Sequence, residues 1–90
     1  MYNIRQSSVF KRQLKLLKKR GYDLNKLNAV VSLLQKGVSL PSKNRDHALT
    51  GDYKGFRECH ITPDWLLVYQ HKDNELILYL FQTGTHSDLF

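Results

Sequence analysis

At Gly51 the hydrophobic pattern of this chain changes its period. Before Gly51 the apolar side chains recur every three or four residues; after it they fall on alternating or continuous positions. A helical half followed by a strand half restricts the fold to α+β, with helices laid on one face of a sheet. In "SSVFKRQLKLLKKRG", Ser7 or Ser8 is a suitable N-cap, Phe10, Leu14 and Leu17 form one stripe, and Gly21 suits the left-handed position after the last turn. "DLNKLNAVVSLLQKG" repeats the grammar, with Asp23 as cap, Leu24, Leu27, Val31 and Leu34 as stripe, and Gly37 as stop. So short a connection predicts an antiparallel helix hairpin. Pro41 and the polar residues 42–46 read as a loop.

Beyond Gly51, "GFRECHI", "WLLVYQH" and "ELILYLFQT" are rich in aromatic and aliphatic residues, as strands are. Lys72-Asp73-Asn74 reads as a hairpin turn. Three antiparallel strands in a meander follow, with residues 2–5 as a possible first strand and the helix hairpin covering one sheet face. The other face is left partly open. Ninety residues suffice for one domain, 1–90. The longest apolar run, Leu76 to Phe81, is too short to cross a bilayer. Residues 1–8 carry no signal-peptide pattern, so a cytoplasmic location is expected. Cys59 is the only cysteine, which excludes an internal disulfide. Fourteen Lys and Arg against eight Asp and Glu leave a net charge of +6 and favour a polyanionic partner.

The stretch "RECHITPDW", residues 57–65, gathers Arg, Glu, Cys, His and Asp. A zinc site, an acid–base enzyme and an ordinary surface strand all fit that mixture. Side chains alternate along a strand, so Phe56, Glu58 and His60 share one face and Arg57, Cys59 and Ile61 the other. Asp64 sits at the bend after Pro63. His47 and His86, in a loop and near the end of the chain, are placed to fold over the open face. His47, His60, His86 and Asp64 are ligand types for zinc, but no two stand at a compact spacing. Acid–base cleavage of RNA needs a base for the 2′-OH, an acid for the departing 5′-oxygen and a cation for the phosphate, and no metal. Histidine suits both proton roles. By default His71 is an exposed residue beside a turn, Cys59 a small hydrophobe, the Asp46–His47 pair a loop turn with the carboxylate orienting the imidazole, and the ring side chains of Trp65, Tyr69, Tyr79 and Phe81 packing groups.

"DHALTGDYKGFRECHITPDWLLVY" followed by "TGTHSDLF" resembles the YafQ family of toxins, within the RelE-like group of type II toxin–antitoxin systems. The likeness extends over nearly the whole chain. It implies a microbial-ribonuclease-like fold and a ribosome-dependent messenger-RNA endonuclease without cofactor or metal. Carried over by position, the resemblance implies a catalytic set of His47, Glu58, His60, Asp64, His86 and Phe90. His86 would be the general acid, Phe90 would position a base or the leaving nucleotide, and His47 or His60 would be the base, aided by Asp64 and Glu58. Many relatives carry a basic residue where this chain has Gln82, so either Arg57 or a lysine such as Lys54 supplies the missing cation, or the chain is a slower nuclease. Lys11, Lys15, Lys18, Lys19 and Arg20 would grip ribosomal RNA through phosphates. The implied partners are the ribosome and messenger RNA, an acidic and partly disordered antitoxin, and operator DNA only through that antitoxin, with no membrane. The alternative is a non-catalytic module of the same fold that binds RNA or an antitoxin.

Overall fold

A computed structural model describes residues 1–90. In chain order it contains β1 (Asn3–Gln6), α1 (Ser8–Lys19), α2 (Leu24–Gln35), β2 (His47–Ala48), β3 (Arg57–Thr62), β4 (Trp65–Lys72), β5 (Ile77–Gly84) and α3 (His86–Leu89). Short 3₁₀ turns interrupt the connections at Ser42–Asn44, Gly51–Tyr53 and Asp73–Glu75. None of the helices is long and apolar enough to cross a membrane.

Both long helices begin and end as their residues dictate. Ser7 caps α1 by accepting the Phe10 N–H, and Asp23 caps α2 by accepting the Asn25 N–H. Gly21, at φ 85°, closes α1: its N–H donates to the Lys18 carbonyl and the Tyr22 N–H to the Leu17 carbonyl. Gly37 and Val38 close α2 with the same two bonds, to Leu34 and Leu33. Phe10 and Leu17 of α1, and Leu27, Val30, Val31 and Leu34 of α2, bury themselves against Cys59, Trp65, Leu67, Tyr69, Leu78 and Leu80 of the sheet. Each such side chain contributes about 1.5–3 kcal/mol of transfer free energy. Cys59 belongs to this packing, and burial pushes its thiol up to about 12. Trp65 packs edge-on to Tyr22 and donates its indole N–H to the Thr83 hydroxyl at 2.9 Å.

The sheet has five strands in the order β1-β5-β4-β3-β2. The meander β3-β4-β5 is antiparallel as expected, but β1 pairs parallel to β5, with Asn3 opposite Ile77, so the sheet is mixed. Residues expected to form a simple loop carry the two-residue strand β2, which pairs antiparallel to β3. The β4–β5 turn falls later than its composition suggests: β4 runs through Lys72, and Leu76 takes a left-handed φ of 51° before β5 starts at Ile77. His71 is half-buried rather than exposed, because it shares the helix-covered face with Tyr69. Its Nε2–H donates to the Leu34 carbonyl at 2.9 Å, and its ring lies 4.5 Å from that of Tyr2.

One irregularity shapes the uncovered face. Val68 pairs with Gln82 and Tyr69 with Leu80, so Phe81 is an extra residue in β5. Such a bulge re-aims side chains and leaves backbone groups without ladder partners. Here Phe81 and Gln82 both face the uncovered side, and Phe81 meets Phe56 at 4.8 Å. Helix α1 and its cap supply the missing partners: Ser7 Oγ donates to the Phe81 carbonyl at 2.6 Å, and Gln13 Oε1 accepts the Thr83 N–H at 2.8 Å.

Candidate functional site

Cross-strand register places the polar side chains of the uncovered face in rows. His47 of β2 stands opposite Glu58 of β3, Glu58 opposite Val68 of β4, and Val68 opposite Gln82 of β5. The next row holds His60, Leu66 and Gly84. Beyond it α3 folds over the end of the sheet. His60, Asp64 and His86 line one cleft of about 550 Å³, together with Tyr22, Pro63, Leu66, Thr85 and Ser87. A second, more apolar cleft of about 600 Å³ lies on the α2 side of His60, between Lys26, Val30 and Leu33 on one wall and Lys43 and Pro63 on another. Titratable side chains converge on the first: His60, Asp64 and His86.

Hydrogen bonds settle how two of the imidazoles present their nitrogens. A carbonyl only accepts, so His60 Nδ1–H donates to the Pro63 carbonyl at 3.2 Å. The neutral ring therefore keeps Nε2 bare, ready to take a proton. His47 Nδ1–H donates to the Arg45 carbonyl at 2.7 Å, and its Nε2 faces Glu58 Oε1 at 3.6 Å. A proton that arrives on His47 Nε2 lands beside a carboxylate whose residue is only 8 % exposed. Arg45 supplies that carbonyl from a left-handed φ of 47°, at a cost of about 1 kcal/mol. The Asp46 carboxylate does not orient His47. It accepts from Tyr69 at 2.6 Å and from Arg57 at 3.3 and 3.4 Å, on the covered side of the sheet.

His86 is held by its own short helix. Thr85 and Asp88 form a capping box: Thr85 N–H donates to Asp88 Oδ2 at 2.9 Å, and Asp88 N–H donates to Thr85 Oγ1 at 3.2 Å. Arg20 reaches across from the end of α1 and donates to both Asp88 oxygens, at 2.8 and 3.3 Å. Gly84 permits the close fit, since a Cβ there would lie 2.9 Å from the Asp88 Cβ. The Phe90 ring packs 5.3 Å from His86 and 5.6 Å from Tyr53.

The Arg20 guanidinium, with the Thr85 amide, holds the Asp88 carboxyl down at about 2. A depressed folded-state value means that this anchor is fully in place above the ordinary carboxylate range, near pH 4. It weakens only as the pH falls from there toward about 2. Proton exchange at the Asp88 and Thr85 amides should therefore be unchanged between pH 7 and pH 5 after correction for the intrinsic rate, and protection should fall below pH 4. Equal protection at pH 2 and pH 5 would exclude the anchor.

Two expected cations fall elsewhere. Arg57 points to the covered face by strand alternation and is engaged by Asp46, so it does not reach the cleft. Arg20 is committed to Asp88 instead of standing free for a phosphate. Lys11, Lys15, Lys18 and Lys19 are exposed along α1, and Lys54 is exposed after the Gly51–Tyr53 turn. Gln82, where the resemblance leads one to expect a basic residue, has its Oε1 shielded from solvent and without a hydrogen-bond partner. Asp88, Thr85 and Tyr53 were not anticipated as contributors. The Thr85-x-x-Asp88 spacing is the signature that would have exposed the first two.

Comparison with known proteins identifies the family and the fold. The family described as "Bacterial toxin of type II toxin-antitoxin system, YafQ" matches residues 2–90. The mRNA interferase toxin YafQ of Escherichia coli K12 is 39% identical over 89 residues, 98% of this chain and 95% of that protein. The crystal structure of a metal-bound toxin from Helicobacter pylori superposes with a TM-score of 0.94 at 48% identity, covering all of both chains. YafQ in the E. coli DinJ–YafQ complex superposes at 0.90 with 38% identity, over 100% of this chain and 99% of that one. In the present chain no three His, Cys, Asp or Glu side chains are grouped so as to hold a metal ion. The match over almost every residue, together with the shared fold, makes this chain a member of the YafQ family of bacterial type II toxins.

Proposed function

We propose that this chain is the toxin of a type II pair: a cytoplasmic, ribosome-dependent endoribonuclease that cuts messenger RNA and stops translation, with residues 1–90 acting as one domain. One observation carries the reading. His60, Asp64 and His86, far apart in sequence, line a single cleft, with the His47–Glu58 pair in the adjoining row. The relatives named as mRNA interferase toxins supply the substrate class.

RNA brings its own nucleophile. The bare Nε2 of His60, or of His47, takes the 2′ proton; the 2′-oxygen attacks phosphorus; the 5′-oxygen departs with a proton from His86. The products are a 2′,3′-cyclic phosphate and a free 5′-hydroxyl. Asp64 and Glu58 stabilise the imidazolium formed on the base. Phe90, packed on His86, holds its ring and offers a face to a nucleobase. Since Arg57 is engaged elsewhere and Gln82 is neutral, Lys54 and protonated imidazole are the cations left for the phosphate.

The exposed lysines of α1 suit ribosomal RNA, and the same surface suits an acidic, partly disordered antitoxin, as the E. coli toxin pairs with DinJ. Operator DNA would be reached only through that antitoxin. Reversing charge at Lys15, Lys18 and Lys19 should weaken ribosome binding at low salt and lower its salt slope by roughly one for each phosphate no longer neutralised. Unchanged affinity would remove α1 from the interface.

The deciding experiment is induction of the intact chain in bacteria without the antitoxin. Growth should stop and transcripts should acquire new 5′ ends within reading frames. A protein that binds ribosomes yet cuts nothing would favour a non-catalytic binding module, the reading that neutral Gln82 supports.

A further inference from the structure

The uncovered sheet face carries a line of aromatic rings, most of which the cleavage steps do not use. From Phe90 the line passes to Tyr53 at 5.6 Å and on to Phe81 at 6.4 Å. Phe81 stacks on Phe56 at 4.8 Å and on Tyr79 at 6.0 Å, with ring planes only 27° and 26° apart. At the far end Lys72 Nζ lies 5.3 Å from the centre of the Tyr79 ring. Arg5, Lys72 and Tyr79 border a further cleft there, of about 390 Å³. Alternation places Tyr79 and Phe81 on this face together, and the β5 bulge sets Gln82 beside Phe81. Tyr53, Phe56, Tyr79 and Phe81 are all half-buried, so each ring keeps part of its surface in water.

We infer that this line is a binding track for single-stranded RNA, holding by base stacking the nucleotides next to the scissile phosphodiester. The inference rests on the endoribonuclease reading and adds the path of its substrate. Every nucleobase has a π-face, so a row of rings grips a strand without reading its sequence. Unpaired RNA is commonly recognised by splaying its bases onto aromatic side chains. The track joins the reaction centre through Phe90 and ends on two cations, which suit a polyanion and not an apolar peptide. It also offers a way for a chain lacking the basic residue at Gln82 to hold its substrate: stacking in place of charge.

The test uses a fluorescent ten-nucleotide RNA titrated into the His86→Ala protein, so that the RNA stays whole. Tyr79→Ala should weaken binding roughly five- to a hundredfold, the range produced by removing one stacking ring. Tyr79→Phe, which keeps the ring, should bind like its parent. Phe81→Leu preserves apolar volume while removing a π-face and should weaken binding similarly. If it fails to fold, the Tyr79 pair decides alone. Lys72→Ala should lower the salt slope by about one. Equal affinity of the Tyr79→Ala and Tyr79→Phe proteins, or no binding by the parent, overturns the track. A chain that arrests growth but shows either result loses the track and keeps the nuclease reading. One that binds RNA through Tyr79 but never cuts loses the nuclease reading alone.

Discussion

Substituting His86 by alanine is expected to slow messenger-RNA cleavage by roughly 10²–10⁴-fold, the range set by loss of a positioned proton donor. Ribosome affinity should stay near that of the parent, because the binding surface proposed above, the exposed lysines of α1, lies on a different element. The fold should hold as well. His86 is exposed, and the Thr85–Asp88 box and Arg20 anchor α3 without its ring. Single-turnover cleavage on programmed ribosomes, with binding measured separately, separates the two effects. A fall in affinity that matches the fall in rate would make His86 a binding group. Removing the acid should also remove the alkaline limb of the pH–rate profile and leave the acid limb, which belongs to the base.

Trp65→Ala is expected to give the largest loss of stability, about 3–5 kcal/mol. The ring is 1 % exposed, meets Tyr22 edge-on, and bonds the buried Thr83 hydroxyl. That hydroxyl donates in turn to the Leu66 carbonyl at 2.8 Å. Truncation leaves both a cavity and a shortened hydrogen-bond chain. Trp65→Phe keeps most of the volume and forfeits chiefly the indole bond, so its loss should be nearer ~1 kcal/mol. A domain of this size has about 5–15 kcal/mol in total, so the alanine protein should lose a large share of its stability. Urea denaturation of the three proteins gives the comparison, and a Trp65→Ala loss below about 1 kcal/mol would show that the core closes over the gap. Activity should follow stability here, because Asp64 immediately precedes this ring in the bend that lines the cleft.

Local rules were legible in the residues, and pairings at a distance were not. Ser7, Asp23, Gly21 and Gly37 announce both helices, since each supplies a specific bond or backbone angle at a helix end. Alternation along β3 foretold that Glu58 and His60 share a face, and the small apolar character of Cys59 foretold that it is packed. The parallel partner of β1 could not be read, because a four-residue strand has the same pattern whatever lies beside it. A two-residue strand such as β2 has no period at all, so His47 looked like a loop residue. The bulge at Phe81 is a matter of register between strands and leaves no mark on one of them. Arg57 was assigned to the phosphate by charge, although alternation already placed it opposite His60. The motif resemblance, unlike periodicity, linked His86 to the distant His60, and the register and α3 supply the physical reason that they line one cleft.

The parallel pairing of β1 with β5, reinforced by the Ser7–Phe81 bond between residues 74 positions apart, also governs timing. A nascent chain can wind its helices as they emerge, but that outer seam must wait for β5 to clear the exit tunnel. Closing so long a loop is entropically costly and slows the final step. The outer edge of the sheet is therefore the last part of this fold to close, and the packing of Phe81 over the uncovered face waits on it.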